Sequence, residues 1–339
     1  MGRSLRGELR DRTDVHDILR TRAGCPTVLV SILIVNWNTR DLTLACLGSL
    51  ANAASGTPYE VIVVDNGSVD GSAEALAEEA GIELLRNDLN LGFAAAVNQA
   101  FRRSRGDYVL LLNSDVTLPP DALSVLARFL DEREAVAGVG PIYVNPDGSP
   151  QPFHFRFPTF ATTLANGSSL IRRIVPGSEQ RLREYKMLDD DFSRPRPVPQ
   201  PSASCLLLRR SVLPREQLMD ERYPLYFNDV QLARSLADRG HELWVTPDAV
   251  AVHEAHASGF KLPPAARRRQ YVGAVVRMLM DTEPVYKVWI YRAIVLVQNL
   301  ALWALDRPEA VRGRDLLAAL DGNPGPLPVR PLDPATRSG

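Results

Sequence analysis

The stretch Asp107–Asp115, DYVLLLNSD, decides the fold of this chain. Five aromatic or apolar residues run unbroken from Tyr108 to Leu112, and three polar ones, Asn113, Ser114 and Asp115, follow at once. An apolar run this short, bounded by turn residues, reads as a strand buried on both faces, the kind found in parallel sheets between layers of helix. Open sheets of that class bind ligands outside the carboxyl ends of their strands. Asp115 therefore stands where a site would form. The plainer alternative is a polar turn leading into Pro119.

Working outward, the same alternation recurs on both sides. VSILIVNWN (Val30–Asn38) reads as a buried strand, and DLTLACLGSL follows with Leu42, Cys46 and Leu50 on one helical face. EVIVVDNGSVDGS opens as a strand over Glu60–Val64, turns through Asp, Asn, Gly and Ser, and enters a helix from about Ser72 to Ala80. IELLRN (Ile82–Asn87) reads as a third strand and NLGFAAAVNQAFRRS as a glycine-containing loop entering a helix. Beyond the central strand, DALSVLARFL predicts a helix and AVAGVGPIYV a strand. Strands and helices alternating at this spacing predict a doubly wound α/β fold with a mostly parallel sheet.

Residues 145–201 break the rhythm. They are rich in proline and arginine and read as a long excursion, part ordered, of the kind that forms binding loops. SCLLLRR then predicts a strand, VQLARSLADRG a helix, and HELWVTPDAVAVHEAH two short strands around a Pro-Asp turn. From Leu262 the pattern is helical, with Arg267, Arg268 and Arg269 adjacent and an apolar stretch after Pro284. Its longest uncharged run, Ala293–Leu305, is shorter than a bilayer requires. Two readings of that stretch stand side by side: a core helix burying Trp289, Ile290, Leu296 and Trp303, or an amphipathic helix lying on a membrane surface. The expected division is an N-terminal arm (1–28), a catalytic domain (29–260), a C-terminal helical region (261–321) and a disordered tail (322–339).

Composition narrows the function. A formal net charge of -1 gives no bulk electrostatic case for nucleic acid. Cys25, Cys46 and Cys205 are odd in number and far apart, so neither a disulfide framework nor a CxxC metal site follows, and a reducing compartment fits. The charged N-terminus lacks the apolar core of a signal peptide. Neither a Walker loop nor a GxGxxG after the first strand is present. Four polar clusters, Asn36–Asn38, Asp65–Ser68, Asn113–Asp115 and His253–His256, fall at strand ends that such a sheet gathers into one crevice.

Five segments in order, VSILIVNWN, VIVVDNGSVDGS, NLGFAAAVNQA, GDYVLLLNSD and YFNDVQLARSLADRGHELWVTPDAVAVHEAHAS, resemble the family 2 glycosyltransferases of GT-A fold, close to their rhamnosyltransferase-like branch. The resemblance covers about Ser31 to Ser258. It implies inverting, metal-dependent transfer of a sugar from a dTDP- or UDP-sugar, dTDP-rhamnose among them, to an acceptor hydroxyl in glycan or glycolipid synthesis. It implies that Asp115 and His253 bind Mg²⁺ or Mn²⁺, and that Asp229 is the general base. Asn36, Asn38, Asp65, Asn66, Gly92, Asn98, Asn113 and Ser114 are implied in donor binding. By residue type alone, Asp229 could instead cap the helix that begins at Val230. The chain departs from the family pattern at Asn228, Gln231, Ala203 and Glu254, and those at Asn228, Ala203 and Glu254 motivate a rival expectation, a catalytically weak sugar-nucleotide-binding or partner subunit. Lipid-linked acceptors among relatives imply a cytoplasmic enzyme with peripheral contact at the inner membrane face.

Overall fold

A computed structural model describes residues 30–167, 169–254 and 261–327. The expected N-terminal arm, His256 and the chain beyond Leu327 lie outside the described residues. The first half alternates as read: β1 (Val30–Asn36), α1 (Arg40–Ala54), β2 (Tyr59–Asn66), α2 (Ser72–Ala77), β3 (Ile82–Asn87), α3 (Phe93–Arg103), β4 (Tyr108–Asn113), β5 (Val116–Thr117), α4 (Ala122–Asp131) and β6 (Val136–Val144). The central strand is buried on both faces as its composition demands. Tyr108, Leu110 and Leu112 pack under α1 and α4, while Val109 and Leu111 pack under α3. The result is a three-layer α/β/α sandwich.

The second half adds β7 (Pro150–Gln151), β8 (His154–Phe155), three short helices α5 (Phe160–Gly167), α6 (Ser169–Ile174) and α7 (Ser178–Tyr185), then β9 (Arg196–Pro197), β10 (Gln200–Pro201), β11 (Cys205–Arg209), α8 (Asn228–Asp238) and β12 (Glu242–His253). The excursion is therefore largely ordered. Strand order is β3-β2-β1-β4-β11-β6-β12-β5. β3, β2, β1 and β4 run parallel, as do β6 and β12, but β11 is antiparallel to both β4 and β6. One end of β11 thus enters the sheet where its neighbours leave it. The order turns at β1, flanked by β2 and β4, which is the switch point where a crevice opens.

Three sequence expectations change. ELWVTPDAVAVH (Glu242–His253) is one strand, not two. The Pro247-Asp248 pair is absorbed as a bulge between Thr246 and Val250, with Thr246 Oγ1 donating to Asp248. The segment Gly322–Leu327, expected to be disordered, is held against the C-terminal helices α9 (Pro264–Thr282), α10 (Val285–Ala304) and α11 (Gly313–Leu320). Buried Val275, Val276, Leu279, Val288, Tyr291 and Val295 close α9 on α10, and Tyr223 joins that cluster from the loop before α8. On α10 the core reading is corrected for its named residues. Trp289, Ile290, Leu296 and Trp303 are exposed, because the packed face is Val288, Tyr291, Val295 and Asn299.

Candidate active site

Register brings the polar strand ends together. Asn36 pairs with Asp65 across β1 and β2, and Val35 with Asn113 across β1 and β4. Asn36 Nδ2 donates to Asp65 Oδ1 at 2.6 Å and to Ser68 Oγ at 3.0 Å, while its Oδ1 accepts from Thr39 and Thr43. Asn36 is fully buried, and every polar atom of its side chain has a protein partner. It therefore positions Asp65 rather than facing a ligand. Asp65 Oδ2 in turn accepts from the Ser68 amide at 3.2 Å, closing the turn after β2. Gly67 makes that turn possible, with φ 76° and a missing Cβ that would sit 2.8 Å from the Leu89 backbone. Asn38 Oδ1 accepts from Val69 N, and its buried Nδ2 has no partner. Asn66 ties Asn90, Gly92 and Leu91 into the loop before α3.

Two expected donor residues have other work. Gly92 sits at φ 94°, and its close neighbour is Pro224, 2.8 Å from where a Cβ would be; Phe93 N donates to Pro224 O at 2.6 Å. The glycine lets two backbones meet. Asn98 is fully buried on α3, donating to Met219 O and Glu221 and accepting from Met219 N. It pins a distant loop.

At the end of β4, Asn113 Nδ2 donates to Ser204 Oγ at 3.0 Å, and Ser114 Oγ shares a 2.9 Å bond with Thr39. Asp115 and His253, both under 10% exposed, approach to 3.5 Å between Oδ1 and Nε2. Gln151 settles the imidazole tautomer. Its Nε2 donates to His253 O and Asn145 Oδ1, so its Oε1 faces His253 Nδ1 at 2.7 Å and accepts that N–H. The Nε2 lone pair is then aimed at a carboxylate oxygen. Two lone pairs converging in a buried space suit a cation between them, with a second-sphere amide fixing the ring as metal-bound histidines require. No cluster of three His, Cys, Asp or Glu side chains occurs among the described residues, so other donors would have to complete the shell.

Asp229 lies in the first turn of α8, where a carboxylate is favoured by the helix dipole. The capping alternative is not met: Phe227 occupies the cap position, and the helix begins at Asn228. Asp229 Oδ1 accepts from Val230 N at 2.8 Å and Oδ2 from Gln200 Nε2 at 3.2 Å. Burial nonetheless lifts its carboxyl above the ordinary aspartate value, because desolvation outweighs both hydrogen bonds. Between this carboxylate and His253 stands Tyr143. Its ring lies 5.9 Å from that of His253, and the Asp229 charge is among the influences that raise its phenol. Asn228 donates to Leu225 O at 3.0 Å and to Tyr223 O at 3.4 Å. A glutamate there would set a carboxylate against two carbonyls, so this departure from the family pattern is part of how the preceding loop is built. Gln151, Gln200 and Tyr143 were not singled out from sequence. The two glutamines lie in an aperiodic stretch, and Tyr143 reads as an ordinary strand residue.

Residues 31–215, more than half of the chain, match the glycosyl transferase family 2 profile. The chain belongs to that family. This glycosyltransferase is 29% identical over 219 residues to the N-acetylglucosaminyl-diphospho-decaprenol L-rhamnosyltransferase of Mycobacterium tuberculosis, covering 61% of this chain and 70% of the relative. Its GT-A fold is shared with the mannosyltransferase PcManGT of Pyrobaculum calidifontis, solved with GDP-Man and Mn²⁺, at TM-score 0.51 and 18% identity over 91% of this chain and 92% of that one. It is shared also with GalNAc-T7, solved with UDP, GalNAc and Mn²⁺, at TM-score 0.51 and 14% identity over 73% of this chain and 47% of that one.

Proposed function

We propose that this glycosyltransferase moves a sugar, with inversion, from a dTDP- or UDP-sugar to the hydroxyl of a lipid-linked glycan acceptor, dTDP-rhamnose being the first donor to try. The observation that carries the reading is the Asp115–His253 pair beyond the ends of β4 and β12, which Tyr143 links to Asp229. Asp115 and His253 would hold a divalent cation, with donor phosphate oxygens completing its shell. When bound, that cation neutralises charge on the departing diphosphate. Asp229 removes the proton of the acceptor hydroxyl as its oxygen bonds to the anomeric carbon and the bond from that carbon to the diphosphate oxygen breaks. Gln200 steers the carboxylate, and Gln151 keeps the proton of His253 on Nδ1. The relative's acceptor is a decaprenyl diphosphate sugar, which supports the acceptor class. We read residues 29–260 as the catalytic domain and the helices after Lys261 as its acceptor-side extension. The test is transfer by the purified protein from dTDP-rhamnose or UDP-sugars to a polyprenyl-diphospho-sugar, with and without EDTA. Absence of both transfer and donor hydrolysis with every one of these donors would sink the proposal.

The C-terminal region supports docking at a lipid surface. α10 spans 20 residues, about 30 Å, is apolar along most of its length and has only a minor part of it buried. One long side, Val285, Tyr286, Trp289, Leu296, Leu300 and Trp303, is exposed and carries no charge. The opposite side is packed on α9, and Asn299 is bonded to Val311. This arrangement suits a helix lying in the interface. The expected basic patch is reduced. Arg268 bonds Gln298, Arg269 bonds Asp315 of α11 and Pro326 beyond it, Arg277 bonds Gly322, and Lys287 pairs with Glu283 at 2.6 Å. Arg292 remains beside the apolar side, stacked 4.9 Å from the Trp289 ring. Insertion of each large side chain contributes about 1.5–3 kcal/mol, so apolar contact should dominate. The protein is expected to co-sediment with anionic vesicles with modest salt sensitivity. The pair Trp289→Ala and Trp303→Ala should lower retention at least tenfold while leaving Tm nearly unchanged. A large loss of stability would return these side chains to the core, and no retention at low salt would remove the membrane.

A further inference from the structure

Trp37, two residues before the buried network of Thr39, is turned to the α3 side of the sheet and is 6% exposed. Leu262 and Leu327 cover it, with Leu225 packed alongside. Beside it is a cavity of about 50 Å³ floored by Asn66, Asn90 and Phe93, walled by Trp37 and roofed by Leu262 and Leu327. The Trp37 indole N–H is buried without a partner. The cavity takes only the edge of a ligand, but an aromatic wall and an unused donor suit the polar edge of a flat heteroaromatic ring such as a nucleobase. The Asn66 amide, committed to Asn87, Asn90, Leu91 and Gly92, fixes the floor.

The roof is held from behind by one face of α9. Arg269 and Gln270, Gly273 and Arg277 follow one another at helical spacing. The Arg269 guanidinium donates to Pro326 O, Gln270 Nε2 donates to Pro324 O at 3.1 Å and Gly325 O at 2.9 Å, and Arg277 Nε donates to Gly322 O at 2.8 Å. Gly273 leaves room for this. A Cβ there would lie 2.7 Å from Pro324 Cα. Pro324 and Pro326 stiffen the segment, so little chain freedom is lost in ordering it. A backbone gripped at four carbonyls, ending in a leucine on Trp37, is built to place that leucine.

We propose that Gly322–Leu327 is a strap that closes the base end of the donor pocket, so that donor affinity depends on how α9 holds it. The inference rests on the reading that a nucleotide lies across the strand ends. UDP and dTDP, with Mn²⁺, serve as probes in calorimetry on the full chain. Leu327→Ala removes the roof, and Gly273→Ala wedges the strap from α9. Each is expected to weaken nucleotide binding at least fivefold and to raise donor KM with little change in kcat. In the wild type, nucleotide should slow hydrogen exchange at the Gly325 and Leu327 amides. If the wild type binds neither nucleotide, the donor reading falls and the strap with it. If the wild type binds one of them and both variants, folded by Tm, bind it equally, the strap alone is overturned. Should Gly273→Ala fail to fold, Leu327→Ala and the exchange measurement decide.

Discussion

Asp229→Asn is expected to cut turnover by on the order of 10²-fold or more while nucleotide binding stays close to wild type. The amide cannot accept the acceptor's proton, yet it can keep the local bonds. Its oxygen can take the Val230 N–H, and Gln200, whose Oε1 is buried without a partner, can rotate its amide to accept from the new NH₂. The pKa direction adds a second readout. The folded protein raises this carboxyl above its unfolded value, burial being the largest cause. The stability contribution of this group is thus fully present below the unfolded value and is lost as pH rises through the folded one. At neutral pH the ionised group weighs against the fold, so Asp229→Asn should match or exceed the wild-type Tm. The acid limb of wild-type kcat/KM should lie above the ordinary carboxylate range, with activity lost as pH falls through it. Normal turnover in the variant would end the assignment of Asp229 as base.

Asp115→Asn should weaken Mn²⁺-dependent binding of UDP or dTDP at least tenfold, about 1.4 kcal/mol. Two effects add. The anionic ligand becomes neutral, and an amide NH₂ at 3.5 Å from His253 Nε2 can donate to the lone pair that a cation needs. Calorimetry with and without Mn²⁺ checks this. The wild type should show a metal-dependent gain that the variant lacks. Identical affinities for wild type and variant in both conditions would take Asp115 out of the site.

Much of this architecture is legible because burial is periodic. β1, β2 and β4 alternate between the two core layers residue by residue, so their unbroken apolar runs have one reading. The polar ends of those strands were legible for the same reason, since parallel register fixes which ends meet. Side-chain direction was not. Asn36 and Asn98 stand where donor ligands were expected, but their amides are committed to Asp65 and to a loop 121 residues away, and no local pattern encodes that. Gln151 and Gln200 act through side-chain hydrogen bonds from a stretch without periodicity. Periodicity on α10 marks it as helical and apolar but leaves open which side meets the protein. Proline-rich composition after α11 reads as disorder, whereas the stiffness proline confers also makes a short segment easy to hold.

The reversed direction of β11 has a consequence for which part of the chain can be exchanged. β6 leaves the sheet at Val144 and β11 enters at Cys205, and their shared register, Leu207 with Val139 and Leu208 with Gly138, fixes both anchor points. Residues 145–204 are therefore a cassette anchored at both ends in the frame, and they join it again where β7 pairs with β6 and β9 with β12. The cassette is not chemically silent, however, because Gln151 and Gln200 belong to it. A chimera that imports another enzyme's cassette changes the surface beside the site. It keeps its chemistry only if the graft also brings an oxygen for His253 Nδ1 and a donor for Asp229.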